Sequence, residues 1–245
     1  GISAFWQWRE DVGIFVGLHK GFSPAAPSSG SIIQPEESLN LEYGLRVDSN
    51  NIFMEAIGFF SDYENLIGRC RVSDFGCNPG DEFSAGAVQI AGAELSLSHL
   101  YNLSSRWIMP ITFIYTYTES AFQNNFQSGF PQWGDVEVGY ELPYIPENIG
   151  RFQIGLVSDD LEFNFIAKYV GKMRELAGKG LMDEATSIPS SMILDFAATW
   201  NINENFKITG VLENLGDKKI IVSRRPIGSR PIAPRMYRIG FRYGF

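Results

Sequence analysis

The chain has 245 residues, 44% of them hydrophobic, which excludes a disordered protein. Its formal net charge of -8 argues against nucleic-acid binding, because a phosphate-binding surface is basic. No stretch approaches the ~18 consecutive apolar residues of a membrane-spanning helix. The first residues also lack the charged-then-apolar pattern of a signal peptide, so any membrane role must be carried by strands and any export signal must lie outside this chain.

Apolar and polar residues alternate with period two from one end of the chain to the other, which predicts β-strands. The aromatic content of 14% and the 25 glycines also fit strands joined by tight turns. Turn residues divide the pattern into about eleven strands, at 1–8, 12–22, 38–48, 51–67, 86–101, 105–120, 146–158, 161–173, 190–202, 205–219 and 235–245.

The connections between these predicted strands alternate strictly in length. Short ones lie near Glu10, Asn50, Leu103, Asp159 and Asn203, and long ones are expected at 23–37, 68–85, 121–145, 174–189 and 220–234. All long loops therefore lie at one end of an up-and-down meander, as in outer-membrane barrels. Most strands reach the ~9–11 residues that a tilted strand needs to cross a bilayer.

Aromatic residues gather near the ends of the predicted strands, as in the aromatic girdles that mark the two interfaces of a bilayer. They are Trp6, Trp8, Tyr101, Trp107, Tyr115, Tyr117, Trp200, Tyr243 and Phe245. The pattern therefore favours an all-β, antiparallel transmembrane barrel over a soluble sandwich, in which the apolar face would meet a second sheet.

The last strand ends the chain on an aromatic residue. Its polar residue Arg238, followed by Gly240, Tyr243 and Phe245, resembles the C-terminal signal that the barrel assembly machinery reads in bacterial outer-membrane proteins. An ordinary amphipathic strand in the last position is the alternative.

Six further stretches occur in the order found in the C-terminal half of TonB-dependent outer-membrane receptors, which the chain resembles. They are HKGFSP at 19–24, QPEESLNLEYGLR at 34–46, FMEAIGFFSDYENLI at 53–67, LPYIPEN at 142–148, LENLGDKKI at 212–220 and RRPIGSRPIAPR at 224–235. Within the family, the set is most similar to ferric citrate-type receptors.

This resemblance implies an outer-membrane receptor for a ferric chelate, a siderophore or ferric citrate, that is energised through TonB. Residues 1–245 would be the C-terminal portion of the barrel, about half of the ~22 strands of such transporters. The plug domain and the region that contacts TonB have no counterpart in the chain. Membrane lipid, lipopolysaccharide and the barrel assembly machinery are the further expected partners, and nucleic acid is not.

Cys70 and Cys77 lie in a predicted long external loop. Because a barrel protein passes through the oxidising periplasm, the two are expected to form a disulfide, which would stabilise the loop by roughly 2 to 3 kcal/mol. Two free thiols are the alternative. Two cysteines are too few for a disulfide scaffold or for the four ligands of a structural zinc site.

Basic residues concentrate in the predicted external loops, where receptors of this family capture ligand. Arginine forks suit carboxylate and phosphate groups, so we expect ligand binding by Arg69, Arg71, Arg174, Arg224, Arg225 and Arg230. Binding of lipopolysaccharide phosphates is one alternative. Pairing with Asp183, Glu184 and other loop acids is another.

No catalytic set is found, and no cofactor or metal site is expected. The only histidines, His19 and His99, fall at opposite ends of the meander, and no phosphate-binding loop or nucleophile elbow occurs. The alternative to an energised receptor is a passive porin or a small autonomous barrel. A porin would need an inward-folded constriction loop and a continuous ladder of basic residues, and the sequence indicates neither.

Overall fold

The computed structural model describes residues 1–26, 33–72, 74, 76–225 and 228–244. Within these residues the only helix is a 3₁₀ turn, Glu184–Thr186. The strands in chain order are β1 (Ile2–Arg9), β2 (Val12–Ser23), β3 (Glu36–Ser49), β4 (Ile52–Glu64), β5 (Ile67–Arg69), β6 (Glu82–Ser84), β7 (Val88–Asn102), β8 (Ile108–Phe122), β9 (Phe126–Gln127), β10 (Asp135–Val136), β11 (Asn148–Val157), β12 (Leu161–Val170), β13 (Met173–Arg174), β14 (Ser187–Ile188), β15 (Ser191–Asn203), β16 (Phe206–Glu213), β17 (Ile221–Ser223), β18 (Arg230–Pro231) and β19 (Met236–Tyr243).

Eleven long strands form one sheet, which we call the wall, in the order β1-β2-β3-β4-β7-β8-β11-β12-β15-β16-β19. Every pairing in the wall is antiparallel and joins strands that follow one another along the chain. The predicted fold class, an antiparallel up-and-down meander of about eleven strands, is confirmed.

The pairing register gives the wall one apolar and one polar face. Ile154, Phe165, Phe196, Leu212 and Tyr237 lie opposite one another across five consecutive wall strands and form one row of the apolar face. In the described part of the chain the other sheets have only two strands each. Within these residues the apolar face is therefore not packed on a second sheet, as it would be in a soluble sandwich.

The polar face carries charged pairs between neighbouring strands. Lys168 Nζ lies 2.6 Å from an oxygen of Asp195, and Arg238 Nη2 lies 2.8 Å from an oxygen of Glu213. Such pairs join residues that lie tens of positions apart in the chain, and they connect neighbouring wall strands on the polar face.

Long and short connections alternate as predicted. The short turns are 10–11, 50–51, 103–107, 158–160 and 204–205. The long loops are L1 (24–35), L2 (65–87), L3 (123–147), L4 (171–190) and L5 (214–235). Each of L2 to L5 also contains a two-stranded ribbon, β5–β6, β9–β10, β13–β14 and β17–β18 respectively, which the sequence did not predict.

Two of the predicted strands that end earlier than expected do so at an asparagine with positive φ. The strand predicted to reach residue 67 ends at Glu64, before Asn65 with φ 55°. The strand predicted to reach residue 219 ends at Glu213, before Asn214 with φ 52°. The Asn214 side chain donates to the carbonyls of Lys218 and Ala233, so it closes L5 instead of continuing β16.

Aromatic side chains line the short-turn end of the apolar face. Trp6, Tyr101, Trp200 and Tyr243 lie there with at least half of their surface exposed. Large exposed aromatic residues at one level of a sheet are typical of a membrane interface, so the structure agrees with the predicted girdle.

A small hydrophobic core lies at the opposite end, under L2 and L3. We call it the loop core, and its buried residues are Ala85, Val88, Phe122, Phe130, Trp133, Val136 and Leu142. Val88 and Phe122 face each other across β7 and β8 on the polar side of the wall. L2 and L3 therefore fold inward over the polar face, which was not predicted from the sequence. The apolar residues that these loops bury interrupt the alternation of β7 and β8.

Candidate functional site

A cleft of ≈ 590 Å³ opens where three of the long loops meet, and we call it the arginine cleft. L2 contributes Ile67, Arg69, Arg71 and Asp74, L3 contributes Phe130, Gln132 and Tyr144, and L5 contributes Ser223 and Arg225. The cleft thus combines three guanidinium groups with one carboxylate, three neutral polar side chains and an apolar floor.

The cleft lies above the polar face of the wall. L2, L3 and L5 follow β4, β8 and β16, which hold the fourth, sixth and tenth places in the wall. Six strand spacings of about 4.8 Å separate β4 from β16, or roughly 29 Å along the sheet. Loops that start so far apart meet because they fold toward one another over the same face.

Arg69 is fixed by an ion pair inside L2. It lies opposite Glu82 in the β5–β6 ribbon, and its Nε donates to the Glu82 carboxylate at 3.0 Å. The Glu82 side chain is almost fully buried and also accepts the Ala26 N–H of L1 at 2.8 Å. The positive charge of Arg69 is therefore paired with the Glu82 carboxylate, which contacts in both L1 and L2 hold in place.

Arg71 lies on the small loop that the Cys70–Cys77 disulfide closes. Cys70 is buried, and its backbone N–H donates to the Asp81 carbonyl at 2.8 Å. The Arg71 N–H donates to the Asp74 carboxylate at 2.8 Å. Among the described residues, no carboxylate lies within ion-pair distance of the Arg71 guanidinium, so its charge is available to a ligand.

The loop core supports the floor of the cleft. The Phe130 ring lines the cleft and packs edge-on against Trp133, with 4.9 Å between the ring centroids. Gly68 lies beneath Trp133, and a Cβ there would come within 2.7 Å of the indole ring. The close approach of the β5–β6 ribbon to the core therefore requires this glycine.

Tyr144 is held in an unusual backbone conformation at the cleft. Its φ is 62°, and its N–H donates to the Arg174 carbonyl of L4 at 2.8 Å. The hydroxyl oxygen is buried and has no hydrogen-bond partner. A buried hydroxyl without a partner is costly, and because its oxygen is inaccessible it gives the cleft no hydrogen-bond donor.

One mostly buried carboxylate in L4, that of Glu175, holds two arginines of L5. Arg225 Nε donates to Glu175 Oε1 at 3.2 Å, and Arg224 Nη1 lies 3.8 Å from Glu175 Oε2. Arg224 also donates to the Ser187 carbonyl. We call these contacts of Arg224 and Arg225 with L4 the clasp. The clasp fixes L5 against L4 and brings Arg225 to the cleft.

Of the six arginines for which ligand binding was predicted, three line the cleft and three do not. Arg69, Arg71 and Arg225 meet in the cleft, whereas Arg224 lies in the clasp. Arg174 is buried, donating to Glu141 at 2.8 Å and to the Gly180 carbonyl. Arg230 is exposed on β18 and does not line the cleft. Arg174 and Arg224 thus have the structural pairing that was the alternative.

The acids in these pairs are loop acids other than the two that were named from the sequence. They are Glu82, Glu141 and Glu175, whereas Asp183 caps the 3₁₀ turn by accepting the Ala185 N–H at 3.0 Å. Tyr144 and Gln132 were missed as cleft residues. Tyr144 belongs to the LPYIPEN stretch, so a signal for it was present in the sequence.

The residues of the predicted assembly signal lie in β19. Arg238 pairs with Glu213, Gly240 lies opposite Thr209, and Tyr243 belongs to the apolar face. Phe245 is outside the described residues. The reading of this strand by the assembly machinery stays a prediction.

Two features are absent from the described residues. No group of three or more His, Cys, Asp or Glu side chains that could hold a metal ion was found. Nor does this part of the chain contain a helix long and apolar enough to cross a membrane.

A long meander with one apolar face and interfacial aromatics is the architecture of the wall of an outer-membrane β-barrel. Residues 1–215 match the family model described as "TonB dependent receptor-like, beta-barrel". The chain therefore belongs to the TonB-dependent receptor β-barrel family, whose members are receptors and transporters, not enzymes.

Solved structures agree with this assignment. The ferric-catecholate import receptor Fiu from E. coli K12, in its closed form, gives a TM-score of 0.72 at 18% identity, over 99% of this chain and 34% of that chain. The ferric yersiniabactin uptake receptor FyuA from Yersinia pestis gives 0.73 at 19% identity, over 99% and 36%. The siderophore receptor PiuA from Acinetobacter baumannii gives 0.73 at 19% identity, over 98% and 34%.

This chain spans about a third of the length of these structures. No curated protein shows significant sequence similarity to it. Membership of the family places the chain in the bacterial outer membrane, with the apolar face of the wall toward lipid and the polar face toward the lumen. The arginine cleft then lies at the mouth of the lumen.

Proposed function

We propose that this chain forms part of an outer-membrane receptor that captures an anionic ferric chelate at the arginine cleft and imports it with energy delivered through TonB. The observation that carries the proposal is the meeting of three loops at a cleft with three guanidinium groups above the lumen face. The names of the neighbouring receptors, which refer to ferric catecholate, ferric yersiniabactin and siderophores, support an iron chelate as the ligand.

The chemistry of the cleft favours an anion. Two of its arginines are neutralised by Glu82 and Glu175, but Arg71 lacks a matching carboxylate among the described residues. Guanidinium groups bind carboxylate and phosphate oxygens through two parallel hydrogen bonds. The cleft volume of ≈ 590 Å³ is within the range of small-ligand pockets, about 300–1,000 Å³.

The proposal includes further strands and partners outside this chain. Among the described strands, β1 and β19 each pair along one edge only, and an open edge in lipid costs several kcal/mol per unpaired backbone group. The proposal therefore includes further strands, outside residues 1–245, that pair with these edges. A plug and a TonB-contacting segment belong to the same longer protein, the assembly machinery reads β19, and lipid and lipopolysaccharide surround the wall.

Uptake of iron-55 by cells that express the full-length receptor tests the function. Ferric citrate and a ferric catecholate serve as the two probes. We expect uptake of at least one of them, and we expect it to be lost in a strain without TonB. Uptake that persists without TonB would indicate a passive pore instead.

Two variants connect this uptake to the cleft. Arg71→Ala and Arg225→Ala are expected to lower the initial uptake rate about 10-fold or more, because each removes a charged hydrogen-bond donor. Arg230→Ala is the matched control, since Arg230 belongs to L5 like Arg225 but lies outside the cleft. Equal rates for all three variants and the wild type would refute ligand capture at the cleft.

A further inference from the structure

The segment of L2 that lines the arginine cleft alternates between the cleft and the interior. Ile67, Arg69 and Arg71 line the cleft, whereas Gly68 and Cys70 are buried. Successive side chains of an extended segment point to opposite sides, so the burial of Cys70 directs the arginines on either side of it toward the cleft.

The two arginines beside Cys70 are held in different ways. The Arg69 side chain is fixed by its ion pair with Glu82, which lies opposite it in the β5–β6 ribbon. Arg71 is exposed, and among the described residues its guanidinium has no ion pair. The position of the Arg71 guanidinium therefore depends on how firmly its backbone is held.

The β5–β6 ribbon has contacts of its own that do not involve the sulfur atoms. Ile67–Arg69 pairs with Glu82–Ser84. The Cys70 N–H donates to the Asp81 carbonyl and the Gly80 N–H donates to the Cys70 carbonyl, both at 2.8 Å, and these bonds extend the ribbon. We therefore expect the ribbon and the loop core beneath it to persist when the disulfide is removed.

The turn that follows Cys70 is held less firmly. The Arg71 N–H donates to the Asp74 carboxylate at 2.8 Å, and the Asp74 N–H donates to the Arg71 carbonyl at 3.0 Å. In the described part of this turn, the backbone N–H hydrogen bonds thus lie within the turn itself. The Cys70–Cys77 disulfide joins the far side of the turn to the ribbon. Without this bond the turn, together with Arg71, gains freedom to move away from the cleft.

We propose that the Cys70–Cys77 disulfide is a positioning element for ligand capture, which holds the Arg71 guanidinium at the cleft and acts on ligand affinity through Arg71 alone. The inference rests on the proposed function and gives the disulfide a role in binding besides its stabilisation of L2. A donor that is already ordered loses less conformational entropy when the ligand binds, so the disulfide raises the affinity.

Titration of the purified full-length receptor with ferric citrate and with a ferric catecholate measures this effect. Replacing Cys70 and Cys77 together with Ser should weaken binding of a chelate that the wild type binds by about 3- to 10-fold, the range expected for ordering one long side chain. The loss should not exceed that of Arg71→Ala, because a loosened donor still contributes more than an absent one.

A double-mutant cycle separates a positioning role from a general structural one. In the Arg71→Ala receptor, removing the disulfide should leave the affinity unchanged. Arg225→Ala provides the matched background, because Arg225 lines the cleft from L5 and is held by Glu175. There the loss of the disulfide should cost the same factor as in the wild type. An equal cost in all three backgrounds would overturn the inference.

Reduction of the wild-type chain provides the same test without a substitution. Dithiothreitol transfers two electrons and two protons to the sulfurs of Cys70 and Cys77 and closes its own disulfide. Once thiol counting shows complete reduction, the affinity should fall by the same factor as in the serine variant, and reoxidation should restore it. The Arg71→Ala receptor should not respond. An unchanged affinity of the fully reduced wild type would contradict the positioning role.

Failure of the inference differs from failure of the proposed function. Chelate binding that is weakened by Arg71→Ala but not by loss of the disulfide overturns only the positioning role. Chelate binding that is unaffected by Arg71→Ala refutes ligand capture at this cleft. A wild-type receptor that neither binds nor imports either chelate refutes the proposed function, and the inference falls with it.

Discussion

Replacing Trp133 with Ala should destroy the arginine cleft without contacting the ligand. Trp133 is 7% exposed, and its ring centroid lies 6.1, 6.0 and 4.9 Å from those of Phe122, Phe126 and Phe130. A buried aromatic side chain removes about 150–250 Å² from water, which at ~25 cal/mol per Å² corresponds to roughly 4–6 kcal/mol. Measured losses for such substitutions are about 3–5 kcal/mol, and we expect a local loss of that size.

The loss should be confined to the loops. The loop core holds the β5–β6 ribbon through Gly68 and holds Phe130 at the cleft, so L2 and L3 should open when the indole is removed. The wall depends on its own backbone hydrogen bonds and on the lipid that covers its apolar face. Trp133→Ala should therefore assemble normally but bind ferric citrate or a ferric catecholate at least ~10-fold more weakly than the wild type.

Three measurements on the full-length receptor check this expectation. The heat-dependent shift in gel mobility reports an assembled barrel, limited proteolysis reports opening of L2 and L3, and titration reports ligand affinity. Trp200→Ala is the matched control, because it removes the same side chain from the short-turn end of the wall. If L2 and L3 of Trp133→Ala resist protease as well as those of Trp200→Ala, the loop core does not support the cleft.

Three further predictions concern the disulfide, a close strand contact and a turn. Replacing Cys70 and Cys77 with Ser should reduce the stability of L2 by about 2–3 kcal/mol, and equal cleavage of L2 by protease in mutant and wild type would contradict this. Gly92→Ala should cost about 1–3 kcal/mol, seen as a lower urea midpoint, because a Cβ there would clash with a carbonyl oxygen of β8 and a phenylalanine ring of β4. The Arg106 side chain donates a hydrogen bond to Asp160 and lowers the pKa of this carboxyl below its ordinary value. This contact between two short turns therefore stabilises the folded state above about pH 3.9, and the stabilisation is lost as the pH falls further. Arg106→Ala should raise the pKa of Asp160, and an unchanged titration of this carboxyl by NMR would refute the contact with Arg106.

The wall could be predicted from the sequence because every wall strand pairs with its neighbour along the chain. Alternation then gives both the strands and their order, without any information on distant contacts. The prediction failed where a single side chain ended a strand. Asn65 and Asn214 stop β4 and β16 through a left-handed backbone, and alternation carries no signal for such a stop. The ribbons in L2 to L5 have strands of two or three residues, too short for a period to be seen.

The inward fold of the loops had a signal that was not used. Val88, Ile90 and Phe122 lie on the polar face of the wall, where alternation alone predicts polar residues. Their side chains form or contact the loop core, so each break in the pattern marks a place where a loop covers the lumen face. An apolar residue on the polar side of a predicted barrel strand therefore predicts an inward-folded loop above it.

The sequence could not predict which loop arginines pair with a glutamate, because these pairs depend on contacts between loops. Arg225 is held by Glu175, 50 residues earlier, and Arg174 by Glu141, 33 residues earlier. Every loop arginine appears equally available in the sequence, yet the positions of three glutamates decide which guanidinium remains free. It follows that counts of basic residues in external loops do not measure the capacity of a receptor to bind anions. That capacity depends on the donors that remain after the loops have paired with one another, which in this cleft leaves the guanidinium of Arg71.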